Sequence, residues 1–204
     1  MGQLEVWVDE DVAAAAAGKL KLLTLLTLLL AAAVLNACGN VDVSWKEEVK
    51  LADGQIIIVK RTAEGKALGE VGGPGGWRAT RMTLEIDRPN LPHKPPAWSE
   101  RWVPMLFDYD PVAKQWFLVA TFYTCIDWYD LGRPRLPYVQ YRALDGRWEE
   151  VPLDPKLFGR PANLLTGVNA RGEPGLVSIE AKEREDRGAD KTFRQIVDAW
   201  SNQC

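Results

Sequence analysis

The sequence predicts a mainly β fold of the β-rich α+β kind: an antiparallel sheet of hairpins with a C-terminal amphipathic helix. Short runs rich in β-branched and aromatic residues come in pairs across turn residues, apolar and polar positions alternate within them, and the spacing becomes helical only at the end.

In the first hairpin, Val43 to Leu51 and Gln55 to Thr62 flank Asp53-Gly54, a dipeptide suited to the positive backbone angles of a tight turn. A further strand is expected at Arg78 to Ile86, where Met82, Leu84 and Ile86 share a face opposite Arg81, Thr83 and Glu85. The second hairpin joins Trp102 to Tyr109 with Gln115 to Cys125, with Pro111 presetting the turn. The third pairs Tyr138 to Leu144 with Arg147 to Leu153 around Asp145-Gly146, and the alternation in Tyr138 to Arg142 suggests a sheet with one wet face. Leu176 to Ala181 is a shorter strand, and Glu180 to Arg187 reads as a solvated strand end and turn. The C-terminal helix has Asp190 as N-cap and Phe193, Ile196, Val197 and Trp200 on one face.

The connections are equally legible. Residues 69–76 read GEVGGPGG, and Arg88 to Pro96 holds four prolines in nine residues, so neither stretch sustains regular structure cheaply. The glycines are not followed by GK[ST] and lead into a strand, which argues against a phosphate cradle.

Composition narrows the function classes. With 204 residues, 47% hydrophobic, 26% charged and a net charge of −3, the chain supports one core. It lacks the Lys/Arg cluster that nucleic acid demands, so no nucleic-acid partner is expected. No zinc-type Cys/His spacing, GxSxG elbow or EF-hand loop is present, and neither a metal nor another cofactor is expected.

The longest apolar run, Leu20 to Leu35, follows Lys19 and Lys21 and ends beside Ala37, which is the order of parts in a secretory signal. An acidic stretch, Glu5 to Asp11, precedes the basic one, and a start at Val12 would give a leader with a clean positive end. The residues Leu35-Asn36-Ala37-Cys38 resemble the lipobox of bacterial lipoproteins. That resemblance implies a signal peptide over residues 1–37, cleavage before Cys38, and lipid on the Cys38 thiol and its new amino group. Gly39 after the cysteine implies, by the same resemblance, the periplasmic face of the outer membrane. Residues 38–42 are then a lipidated tether and 43–204 a single domain with the C-terminal helix. The alternative is an uncleaved membrane-spanning helix over Leu20 to Ala37. The stretch from Asp108 to Leu153 also resembles segments of proteobacterial envelope lipoproteins, a likeness that brings no activity with it.

With Cys38 assigned to lipid, Cys125 and Cys204 are left as a possible disulfide in an oxidising compartment. The bridge would close a loop of about 80 residues, a constraint on the order of 4 kcal/mol. The alternative is a buried thiol at Cys125 and an unpaired Cys204.

Nine tryptophans are many for this length. They fill a core, or some stack on sugar faces of an envelope glycan; Trp77 and Trp98, beside glycine and proline loops, are the candidates for ligand stacking. No catalytic residue is assigned. Asp108, Asp110, Asp127 and Asp130 bracket one strand, and a pair such as Asp108 and Asp127 would suit a carboxylate-dependent hydrolase if the fold brought them together. The function expected is that of a lipid-anchored envelope protein with a binding or structural role, whose partners are the membrane and an envelope glycan or protein.

Overall fold

The computed structural model describes residues 40–68, 76–88, 91, 93–122, 124–167, 175–185 and 191–200. The apolar run, the lipobox, Cys38, Asp190 and Cys204 lie outside the described residues. Among the described residues, no helix is long and apolar enough to cross a membrane.

The fold is mainly β, and its strands form two sheets rather than the single expected one. The strands are β1 (Asn40–Lys50), β2 (Ile56–Leu68), β3 (Gly76–Ile86), β4 (Trp98–Glu100), β5 (Val103–Asp110), β6 (Gln115–Thr121), β7 (Tyr138–Leu144), β8 (Arg147–Val151) and β9 (Leu176–Val177). The first sheet has the order β4-β3-β2-β1-β9 and the second β5-β6-β7-β8. All neighbours are antiparallel except β1 and β9, which run parallel. Only two residues separate β4 from β5, and the chain changes sheets there.

All three expected hairpins form. In the third, Asp145 and Gly146 have φ of +47° and +77°, the paired positive angles of a turn that matches strand twist. In the second, Asp110 accepts from the backbone N–H groups of Val112 and Ala113 at 3.0 Å, so the aspartate closes the turn that Pro111 begins.

Alternation decides what is buried. Val43, Trp45 and Val49 of β1, Ile57, Val59 and Ala63 of β2, and Met82, Leu84 and Ile86 of β3 point inward. They share one core cluster with Phe107, Trp116, Leu118, Ala120, Val139 and Tyr141 of the second sheet. The other face of the second sheet carries Met105, Leu106, Phe117, Val119 and Tyr138, clustered with Leu157 and Ile196. This corrects the wet-faced reading of Tyr138 to Arg142: Tyr138, Val139, Gln140 and Tyr141 are all buried, because a returning coil covers the face that alternation assigned to solvent.

The helical content differs from expectation for an identifiable reason. Among the described residues at the C-terminal end, only Lys191–Arg194 is helical, and the chain then turns extended. Gln195 bridges Pro161, and Ile196 exchanges backbone hydrogen bonds with Arg160 and Gly159 at 2.9 and 2.8 Å. Pairing with residues 159–161 replaces the intrahelical bonds. The charged stretch expected to be a solvated turn is instead a helix, Ile179–Glu185, and the β9 strand before it has only two residues. Cys125, expected inside a strand, begins the helix Cys125–Asp130, capped by Thr124. We number the three helices α1 (Cys125–Asp130), α2 (Ile179–Glu185) and α3 (Lys191–Arg194).

Gly65 shows how closely β2 and β3 approach. A Cβ there would lie 2.5 Å from the Arg78 carbonyl oxygen and within 2.8 Å of the Trp77 ring, beside the register shift between Glu64 and Gly65. The indole occupies the space a side chain would need. Gly65→Val is therefore expected to destabilise the domain by about 1 to 3 kcal/mol through overpacking against backbone, read as a lower urea midpoint with an unchanged slope.

Candidate functional site

The sequence-expected site residues fall into separate places. Trp98 is fully buried, meets Tyr141 edge to face at 5.7 Å and has no free face, which removes it as a stacking platform. Trp77 is half-buried, leans over Gly65 and packs against the core. All eight tryptophans from Trp45 onward lie in the core cluster or against it. Three of them also fasten connections: the indole N–H groups of Trp116, Trp128 and Trp148 donate to the carbonyls of His93, Pro134 and Pro96 at 3.0, 3.1 and 2.9 Å. The Pro-rich segment is thus held down by indoles, which accounts for the abundance of tryptophan without a glycan.

Asp127 and Asp130 meet at the Arg78 guanidinium, whereas Asp108 pairs with Arg160 and Asp110 with Arg142. Asp108, 1% exposed, accepts from Ala52 N, Tyr109 N and the Arg160 guanidinium, the last at 2.5 Å. Asp127 accepts from Arg78 and Thr124 at 2.5 and 2.8 Å. Asp130 accepts from Arg78 and Arg101, whose hydrogen bonds hold its carboxyl below the usual range. Asp110 is likewise held down, chiefly by the Ala113 N–H, and Arg142 and the Val112 N–H assist against the opposing effect of burial. Asp108 and Asp127 belong to ion pairs that share no residue, so each carboxylate serves as a structural acceptor.

Cys125 is disulfide-bonded, and Cys204, its expected partner, lies outside the described residues.

Two arrangements were not anticipated. The first is a charge cluster inside the sandwich. Glu47 of β1 and Arg61 of β2 occupy inward positions in register with Val43, Trp45 and Val49 and with Ile57, Val59 and Ala63. Their alternation was the available signal, since each is a charged residue in a row of core positions. Glu47 accepts from Arg61 at 2.6 Å, from Leu165 N at 2.8 Å and from Trp45 Nε1 at 3.3 Å, and Lys182 stands 3.2 Å away. Arg61 also donates to the Leu165 carbonyl and lies over the Trp45 ring, 4.7 Å from its centroid. Lys182 donates to the carbonyls of Glu48 and Asn163. Burial pushes the Glu47 carboxyl up, but Arg61 and Lys182, together with its hydrogen bonds, hold it below the usual range.

The second is a cavity of about 730 Å³ next to that cluster. Leu51 and Ala52 of the first turn, Leu106 of β5, Pro161 to Leu164 and Ile179 of α2 form much of its wall. Lys50, Arg160, Lys182 and Arg194 line it as well, against the single carboxylate of Glu183. Lys182 thus joins the cavity to the buried cluster. Asn163 fixes the wall: it donates to the carbonyls of Lys50 and Phe107 and accepts from Phe107 N.

The lowered Glu47 carboxyl makes a signed prediction. Its contribution to stability is complete above the unfolded-state pKa of about 4.3 and is lost as pH falls through the lower folded-state value. Glu47→Gln leaves two cations facing an amide and is expected to destabilise by about 3 to 5 kcal/mol at neutral pH. Urea melts between pH 7 and 3 should show a shallower acid limb in the variant than in the wild type. Compared with protein-family models, curated proteins and solved structures, the chain finds no match.

Proposed function

We propose that the chain is an envelope protein, tethered by lipid on Cys38, whose β domain binds a small ligand in the cavity bounded by the first turn, residues 160–164 and α2. The cavity carries this reading, because about 730 Å³ lies within the range of small-molecule sites and apolar walls surround a few charged groups. Binding is favoured over catalysis by the lining itself. No Ser, Thr, Cys, His, Tyr or Asp is among its described residues, and Asp108 meets it only through Arg160. The lining offers cations for recognition and lacks a nucleophile paired with a base.

The lipobox supports the tether. β1 begins at Asn40, three residues ahead of the expected start, so only Gly39 separates a lipidated Cys38 from the first strand. A bridge from Cys125 to Cys204 supports the same compartment. It is favoured by the Trp200 ring packing edge to face on Phe122 at 5.9 Å, which brings the last described residue close to the segment carrying Cys125.

Intact mass of the membrane-extracted protein tests the anchor and the bridge together. The expected mass begins at Cys38 with acyl chains added, and two thiols become alkylatable only after reduction. A mass that retains residues 1–37, or a bridge that includes Cys38, overturns the tether. Cys38→Ser is expected to release the protein from membranes while leaving its thermal transition in place.

A further inference from the structure

We infer that the ligand of this cavity is an anionic amphiphile: one carboxylate or phosphate-like headgroup joined to an aliphatic body. The inference rests on the reading of the cavity as a ligand site and adds the chemical class. Arg160 is the first support. Buried Asp108 holds its Nη2, and its Nη1 and Nε find no acceptor among the described residues, so one edge of the guanidinium is fixed and the other is open. A guanidinium held in this way suits a planar or tetrahedral anion, which accepts two parallel hydrogen bonds.

Lys50 and Arg194 are the second support. Both line the cavity, both are exposed, and neither pairs with a carboxylate among the described residues. They come from distant parts of the chain, the end of β1 and α3, and meet at one cavity. Glu183 is the opposing charge; it is exposed, and the cations outnumber it. The third support is the wall, where Ala52 and Pro161 are exposed and Ala162 and Ile179 half-buried over buried Leu51, Leu106 and Leu164. A hydrophilic anion would leave the exposed part of this surface wet, whereas an aliphatic body would cover it.

The test uses the lipidated chain in phosphatidylcholine nanodiscs, titrated calorimetrically with octanoate, octanol and octyltrimethylammonium against empty nanodiscs. Octanoate is expected to bind saturably, octanol about tenfold more weakly and the cation not at all. The double variant Lys50→Gln, Arg194→Gln should weaken octanoate about tenfold and leave octanol unchanged. Ala52→Trp, which adds an indole at an exposed turn position on the cavity wall, should abolish both. Equal binding of all three probes would overturn the anionic class and leave a ligand site standing. No binding by any probe would overturn the inference, and if the Ala52→Trp transition also matched the wild type with each probe, the reading of the cavity as a site would fall with it. Octanoate binding untouched by Ala52→Trp would place the site elsewhere. Recruitment of added phosphatidylglycerol vesicles, lost in the double variant, would support the class with a membrane headgroup as its source, whereas octanoate binding without recruitment would make the source a free amphiphile.

Discussion

A guanidinium at the centre of a β-sandwich has to be answered by its neighbours, and Arg61, 1% exposed on the inward face of β2, imposes that condition on the fold. Removing an ion from water costs several kcal/mol after relaxation unless partners replace the lost solvation. Glu47 meets the need from the adjacent strand, the Leu165 carbonyl from a returning coil and the Trp45 ring from above. A one-residue slip of β1 against β2 would turn Glu47 to the face opposite Arg61 and take Val49 out of the core. The ion pair therefore specifies register. The Nε and Nη2 of Arg61 have no acceptor among the described residues, so the pairing is incomplete, and its cost is carried by the surrounding apolar core.

The same cluster organises the walls of the cavity. Lys182 reaches Glu47 from α2 and bonds the carbonyls of Glu48 and Asn163, so a helix, a strand and a coil converge on one ammonium group. Glu48 repeats the tie by accepting from Ile179 N at the start of α2. These contacts have fixed lengths and directions, whereas apolar packing alone would let α2 settle closer to β1. Asp108 plays the corresponding part on the other side, where it links Ala52 of the first turn to Arg160. Polar struts thus hold the cavity open, and for this reason the aspartates are better understood as framework than as chemistry.

How much of this was legible depended on the range of the interaction. The hairpins were, because Asp53-Gly54, Asp145-Gly146 and the Asp110 turn are decided within a few residues. The division into two sheets was not: a strand two residues long, β9, and the three-residue β4 carry too little pattern to show where they pair. The C-terminal helix failed because a regular apolar spacing, Phe193 to Trp200, was read without its competitor, the backbone of residues 159–161. Glu47 and Arg61 could have been found from their places in alternating core rows. Lys182 could not, since nothing in a run such as EAKERE distinguishes the lysine that a distant carboxylate will bury. Arg160, Lys50 and Arg194 meet only through tertiary structure, so the cavity left no local trace in the sequence.

These constraints taken together preform the cavity. β1 is paired along its whole length with β2. The strand acts as a rigid spacer whose far end carries Lys50 and the first turn. Asp108 clamps that turn through Ala52 N and orients Arg160 beside it, and residues 163–165 are fastened to β1 through Glu47 and the Lys50 carbonyl. The paired strand and the buried charges therefore act to the same end: they hold the cationic cavity preformed, at little entropic cost to a ligand that enters it.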